Sequence, residues 1–218
     1  TEACRQVGGD LFGVEPRGAD ECVIMIGDVS GNGMPAAMIM TATLALFRKE
    51  ARSGASPAAI LERLNVSFAE ALQGRMYVTM GVGVWNARRA ELTYASAGHL
   101  APFLLSRKRA EELDVPGAFP LGIDAEQRYK EIRVSLSEGD RVALITDGVI
   151  ETEREGALLG FEGLAELLGE LPEDETASES LSRLKERFAA ERSEVPEDDW
   201  TIVLFRVAGE RGGAREGL

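Results

Sequence analysis

The sequence predicts a layered α+β domain. Segments with strand character outnumber helical ones, the helical segments arrive in consecutive pairs, and successive strands are joined by short turns. The short turns imply antiparallel pairing, and the paired helices exclude a βαβ repeat. No internal repeat is visible.

The elements follow from pattern. Glu21 to Asp28 is a short apolar run stopped by Gly27-Asp28, which reads as a buried strand with Asp28 at its C-terminal end. After the turn Val29 to Gly33, the stretch Met34 to Arg48 is rich in Ala, Met and Leu and carries Pro35 where a first helical turn tolerates it. This helix is apolar nearly all round, so it is either sandwiched in the interior or offers one face to a partner. Ser56-Pro57 starts a second, amphipathic helix, with Ile60, Leu61, Leu64, Phe68, Ala71 and Leu72 at helical spacing. Strands are expected at Tyr77–Trp85, Leu92–Ala95, Ala101–Leu105, Glu131–Leu136, Arg141–Thr146 and Trp200–Val207. Two further helices are expected at Phe161–Leu168 and Ser178–Arg192. The polar, glycine-rich residues 208–218 read as a disordered tail after a single domain spanning 1–207.

Composition narrows the function. With 44 % hydrophobic and 28 % charged residues the chain is too apolar to be disordered. A net charge of -13 has the wrong sign for nucleic-acid phosphates, so no nucleic-acid partner is expected. The longest apolar runs, Val142–Ile145 and Met34–Phe47, fall short of the roughly 18 residues of a membrane span, so no membrane insertion is expected. Cys4 and Cys22 are far too few for a disulfide scaffold, which favours a reducing, cytoplasmic setting. A start without methionine, almost directly at Gly8-Gly9, leads to the expectation of a domain belonging to a longer protein.

Four motifs set an aspartate at a strand edge: Gly8-Gly-Asp10, Gly27-Asp28, Thr146-Asp147-Gly148 and Asp198-Asp199. Carboxylates suit hard cations such as Mg²⁺ and Mn²⁺, and with His99 the only imidazole, a zinc site of His and Cys is excluded. Aspartate beside glycine is also ordinary turn chemistry, and Gly139-Asp140 is read that way. Apolar strand bodies leading into Asp28 and Asp147 favour the metal reading. Gly31-Asn-Gly-Met-Pro-Ala36 fits a dinucleotide fingerprint, but a second helix follows the first where that motif requires a strand. No Gly-Lys-Ser/Thr phosphate loop and no Gly-x-Ser-x-Gly elbow occur. His99 reads as a hydrogen-bonded residue between strands, not as an acid or base.

Taken together, Val7-Gly-Gly-Asp10, Gly27-Asp-Val-Ser-Gly-Asn-Gly33 with Ala36-Ala-Met38, Ser96-Ala-Gly-His99, Thr146-Asp-Gly-Val149 with Glu151, and Asp198-Asp-Trp-Thr201 resemble the PPM (PP2C-like) phosphatases. The resemblance runs in order from Val7 to Phe205. It is nearest to the bacterial branch of the stage II sporulation phosphatase and the stress-response phosphatases that act on anti-sigma-factor antagonists. It implies a four-layer α-β-β-α sandwich, two antiparallel sheets flanked by helix pairs, with two Mn²⁺ or Mg²⁺ ions at one edge. It also implies Asp10, Asp28, Asp147 and Asp198 as ligands with the Val29 carbonyl, Asp199 being the non-ligating member of its pair. The implied activity is hydrolysis of phosphoserine or phosphothreonine on a signalling protein by metal-activated water. In such proteins an upstream sensory domain acts through the region of Met34–Arg48 and its amphipathic neighbour, here expected to be regulatory or homodimer-forming. Two positions depart from the family. Gly13 stands where a second acid is common, and Asn32 stands where histidine is common, so general-acid help from that position is lost. These departures support a second reading, a pseudophosphatase that binds but turns over weakly or not at all.

Overall fold

The structure, a computed structural model, describes residues 9–154, 157–191 and 199–209. A hairpin opens the chain: β1 (Asp10–Arg17) and β2 (Glu21–Val29), followed by α1 (Gly33–Ala51) and α2 (Pro57–Leu72). Then come β3 (Val78–Asn86), β4 (Glu91–Ala97), β5 (Phe103–Ser106), β6 (Arg109–Glu112), β7 (Glu131–Ser135) and β8 (Arg141–Ile145). The one-turn α3 (Asp147–Ile150), the short β9 (Glu153–Arg154) and β10 (Ala157–Leu158), α4 (Gly160–Gly169), α5 (Ala177–Glu191) and β11 (Ile202–Arg206) complete it. Every expected strand and helix is present within a few residues. The strands β1, β6, β9 and β10 and the turn α3 were not foreseen. Arg192 and the tail from residue 210 lie outside the described residues.

Two antiparallel sheets form, in the orders β1-β2-β3-β4-β7 and β11-β8-β5-β6. Side-chain alternation assigns their faces. Val23 and Met25 of β2 join a cluster with Phe47 of α1 and Ile60, Leu61 and Leu64 of α2. Ile24 and Ile26 instead meet Val142 and Leu144 of β8 between the sheets. Ala143 and Ile145 of β8 face Leu164 and Leu167 of α4 and Leu184 and Phe188 of α5. Three apolar layers therefore separate four layers of secondary structure, α-β-β-α, as the resemblance implied. Strands buried on both faces explain why Val23–Ile26 and Val142–Ile145 read as unbroken apolar runs.

The first helix is not sandwiched. Only Ala36, Thr43, Phe47 and Ala51 of α1 are buried, and Met34 and Met38 face outward. Buried Glu15 of β1 ties its C-terminal part down through Arg48 and Arg52. Among the described residues no helix is long and apolar enough to cross a membrane.

Candidate metal centre

Three of the four acids expected from sequence, Asp10, Asp28 and Asp147, lie at one edge of the sandwich. Asp10 opens β1 and Asp28 ends β2, and the two are directly opposite in the antiparallel register. Thr146 and Asp147 follow the end of β8, and Asp199 precedes β11, whose Ile202 pairs with Ile145. Strand ends from both sheets thus aim carboxylates at one place. Asp198 lies outside the described residues.

Asp10 is the best determined. Only 9 % exposed, it accepts hydrogen bonds on Oδ2 from the hydroxyls of Thr146 and Thr201, each at 2.7 Å. The two threonines are themselves joined, Thr201 N–H donating to Thr146 Oγ1 at 2.8 Å. With Oδ2 taken twice, Oδ1 is the oxygen left for a cation. Burial pushes the Asp10 carboxyl up from 3.8 to about 6; the two hydroxyls pull it down, and the charges of Asp199 and Asp147 add to the rise. Mutual repulsion of acids is what a bound cation relieves.

Gly9 makes the site possible. A Cβ there would lie 2.4 Å from Asp28 Oδ1 and 2.9 Å from the Val29 carbonyl oxygen. Two hard oxygens therefore gather over a residue that only glycine can be. Val29 N–H donates to the Gly9 carbonyl at 3.2 Å and Gly9 N–H to Asp199 Oδ2 at 2.8 Å, which locks the three segments together. Asp147, exposed at the head of α3, has Oδ1 held by the Gly148 N–H at 3.0 Å. Among the described residues these acids do not by themselves close into a group of three around one ion. Asp10, Asp28 and the Val29 carbonyl nevertheless fit a hard cation by donor type and by the space kept over Gly9.

His99 braces the site from behind. Its Nε2 is 3.0 Å from the Ile145 carbonyl, which can only accept, so Nε2 carries the proton and Nδ1 accepts from the Thr79 hydroxyl at 3.1 Å. Thr79 is the register partner of Asp28 and Ile145 adjoins Thr146. The imidazole therefore joins the two sheets immediately behind the carboxylates. Burial lowers its pKa to about 4, so it is neutral at ordinary pH. That is the structural role the sequence suggested.

Gly13 is not a vacated ligand position. Residues i and i+3 of a strand point to opposite faces, and a Cβ on Gly13 would lie 2.9 Å from the Phe47 ring of α1. An acid here would enter the core beneath α1 and not the metal edge. Asn32 heads α1, exposed and without a side-chain capping bond. The functional residues that sequence reasoning missed are Thr146, Thr201 and Gly9. All three lie in quoted motifs, but their roles depend on partners far along the chain.

A four-layer sandwich with acids gathered at one edge of its sheets defines a PP2C-like domain. Residues 18–208 match the model of stage II sporulation protein E (SpoIIE), and the chain belongs to that family. It is 28 % identical over 203 residues to the phosphoserine phosphatase RsbU of Bacillus subtilis, covering 93 % of this chain but 60 % of that relative. The PP2C domain of SiaA from Pseudomonas aeruginosa superposes with a TM-score of 0.82 at 25 % identity, over 94 % of this chain and 82 % of that one. RsbX, solved in complex with magnesium, shares the fold at a TM-score of 0.66 and 19 % identity, over 92 % and 87 % of the two chains.

Proposed function

We propose that this domain hydrolyses phosphoserine or phosphothreonine on a protein, an anti-sigma-factor antagonist or a similar signalling partner, using two Mn²⁺ or Mg²⁺ ions. The observation that carries the reading is the facing pair Asp10 and Asp28 with the Val29 carbonyl over Gly9. The likeness to a phosphoserine phosphatase and to a magnesium-bound relative of the same fold supports it.

The metal ligands in this reading are Asp10 through Oδ1, Asp28, the Val29 carbonyl, Asp147 and Asp198. When bound, the cations supply a water of lowered pKa and neutralise the phosphoester's charge. The chain's own residues do the rest. Thr146 and Thr201 hold Asp10 in one orientation, so no reorganisation is needed when charge develops. His99 and Thr79 fix the separation of the two sheets and hence of Asp28 from Asp147. Asp147 stands exposed at the mouth, where substrate arrives. Asn32 cannot protonate the leaving alkoxide as an imidazolium would, so the leaving group takes its proton from solvent. The pseudophosphatase alternative loses one of its two supports, because Gly13 faces the core.

The domain boundary at 207, an upstream sensory domain acting through α1 and α2, and homodimer formation belong to the same proposal. The test is Mn²⁺-dependent phosphate release from a phosphoserine protein, in the presence of the activating partner. Asp28→Asn and Asp147→Asn each reduce the rate by at least about a hundredfold. Wild-type rates in both variants would overturn the site assignment, and no release with any divalent cation would overturn the enzyme reading.

A further inference from the structure

One charged end of the molecule is unused by the phosphatase reading. At the end of β8 opposite Asp147, about 20 Å away along the strand, lies a cavity of about 410 Å³. The β5–β6 turn, the turn before β8 and the C-terminal end of α4 enclose it. Arg107, Lys108, Arg109 and Arg141 line it.

Arg141 is the anomaly. It is only 4 % exposed, yet among the described residues neither it nor the three other cations has a carboxylate in ion-pair contact. Its Nη1 donates to Ser180 Oγ at 2.9 Å and its Nη2 to the Leu171 carbonyl at 3.1 Å, while its Nε has no partner. Glu175, one hydroxyl further on through Ser180, is already ion-paired with Arg183. The cavity wall does carry Glu138, Asp140 and Glu173, but Asp140 is engaged by the Ser137 N–H at 2.8 Å. Four cations against three carboxylates is an inverted balance for a chain of net charge -13. Behind Gly139 stands a fifth cation, Arg206, whose Nε is also unpartnered. Glu175 and Glu173 act on Arg141 only at longer range, against the like charge of Arg206; a buried guanidinium with no carboxylate in direct contact is unfavourable, and the natural relief is an anion that takes charge-assisted hydrogen bonds.

The hairpin turn carries a second, independent sign. Ser106 pairs with Arg109, so Arg107 and Lys108 are the two turn residues, with φ of 49° and 58°. Positive φ at both positions is the type I′ geometry that Asn-Gly fills without strain. Two long cations stand there instead, which points to a use for their charge.

We propose that this cavity binds a small polyanion of the phosphate or pyrophosphate class, with Arg141 as its buried counter-charge and Arg107 and Lys108 at its mouth. The volume is that of an ordinary small-molecule site. Nothing in the proposal depends on the metal centre.

The test uses inorganic pyrophosphate as the probe, titrated calorimetrically into the full chain with EDTA present and in an Asp28→Asn background, so that the metal edge contributes nothing. One saturable site is expected. The double variant R107N/K108G installs the favoured turn sequence; it keeps or raises the melting temperature and weakens pyrophosphate by at least about tenfold. Arg141→Gln abolishes binding, and if that variant fails to fold, the turn variant alone decides. Absence of saturable binding, or equal affinity in R107N/K108G, overturns the proposal.

Discussion

Replacing Asp10 by asparagine should stabilise the metal-free domain while destroying its metal-dependent behaviour. Burial lifts the Asp10 carboxyl from 3.8 to about 6, against the two threonine hydroxyls that pull it down. Each pKa unit corresponds to about 1.4 kcal/mol, so keeping Asp10 ionised in the folded, metal-free protein at neutral pH costs about 3 kcal/mol. Asparagine keeps the shape and can still accept from Thr146 and Thr201 through its carbonyl oxygen. The sign follows from proton binding. The native state holds this proton more tightly than the unfolded chain does, so stability is fully present below pH 4 and is lost as pH rises through 6. Asp10→Asn should therefore match wild type near pH 3.5, diverge between pH 4 and 6, and be more stable by about 3 kcal/mol above that. For a domain of this size that is about 6–12 °C in melting temperature. Thermal unfolding in EDTA across this range measures it. Saturating Mn²⁺ should then reverse the order by stabilising wild type alone. A variant no more stable than wild type at pH 7.5, or a difference that does not vary with pH, would refute the description of Asp10 as a strained carboxylate held for a cation.

Three further outcomes are expected. Gly9→Ala puts a Cβ 2.4 Å from Asp28 Oδ1 and 2.9 Å from the Val29 carbonyl, so Mn²⁺ affinity by calorimetry should fall by at least about tenfold. Gly13→Asp drives a carboxylate against Phe47 and should cost about 3 kcal/mol in urea unfolding, with no gain in metal affinity. His99 has a pKa lowered by burial from 6.5 to about 4. The unfolded chain therefore takes up this proton first, and about 3 kcal/mol of stability is lost as pH falls from 6.5 through 4. This loss runs against the Asp10 gain over nearly the same window, so the two offset each other in the wild-type profile; His99→Gln removes the loss and should leave a stability that rises as pH falls from about 7 to about 4 in urea unfolding, the Asp10 gain alone.

What the sequence disclosed follows from how local each signal is. Val23–Ile26 and Val142–Ile145 are apolar on both faces because each strand is covered twice, and such runs need no partner information to be recognised. By contrast β1 is interrupted by Gly13, Glu15 and Pro16, and Arg109–Glu112 is a charged edge strand held by its hairpin partner β5 and by α4, against which Ala110 packs. Both are strands by tertiary pairing and not by pattern. The carboxylates were legible because an acid after an apolar run is conspicuous. Thr146 and Thr201 were not, because their hydroxyls act on Asp10 across 136 and 191 residues. Motif spacing carries no parity, so the departure at Gly13 could not be placed from sequence; three residues along a strand reverse the face, and a side chain there would meet Phe47. His99 was placed correctly because a lone histidine among small residues offers no catalytic companion.

The central claim is that strand ends from both sheets hold divalent cations at this edge. Anomalous diffraction from crystals soaked in Mn²⁺ tests it most directly. The account predicts two peaks, each within about 2.0–2.6 Å of carboxylate or carbonyl oxygens, drawn from Asp10 Oδ1, Asp28, the Val29 carbonyl, Asp147 and Asp198, with Asp199 still bound to the Gly9 N–H. A peak pattern lying elsewhere on the surface, or no ordered Mn²⁺ at saturating concentration, would contradict it.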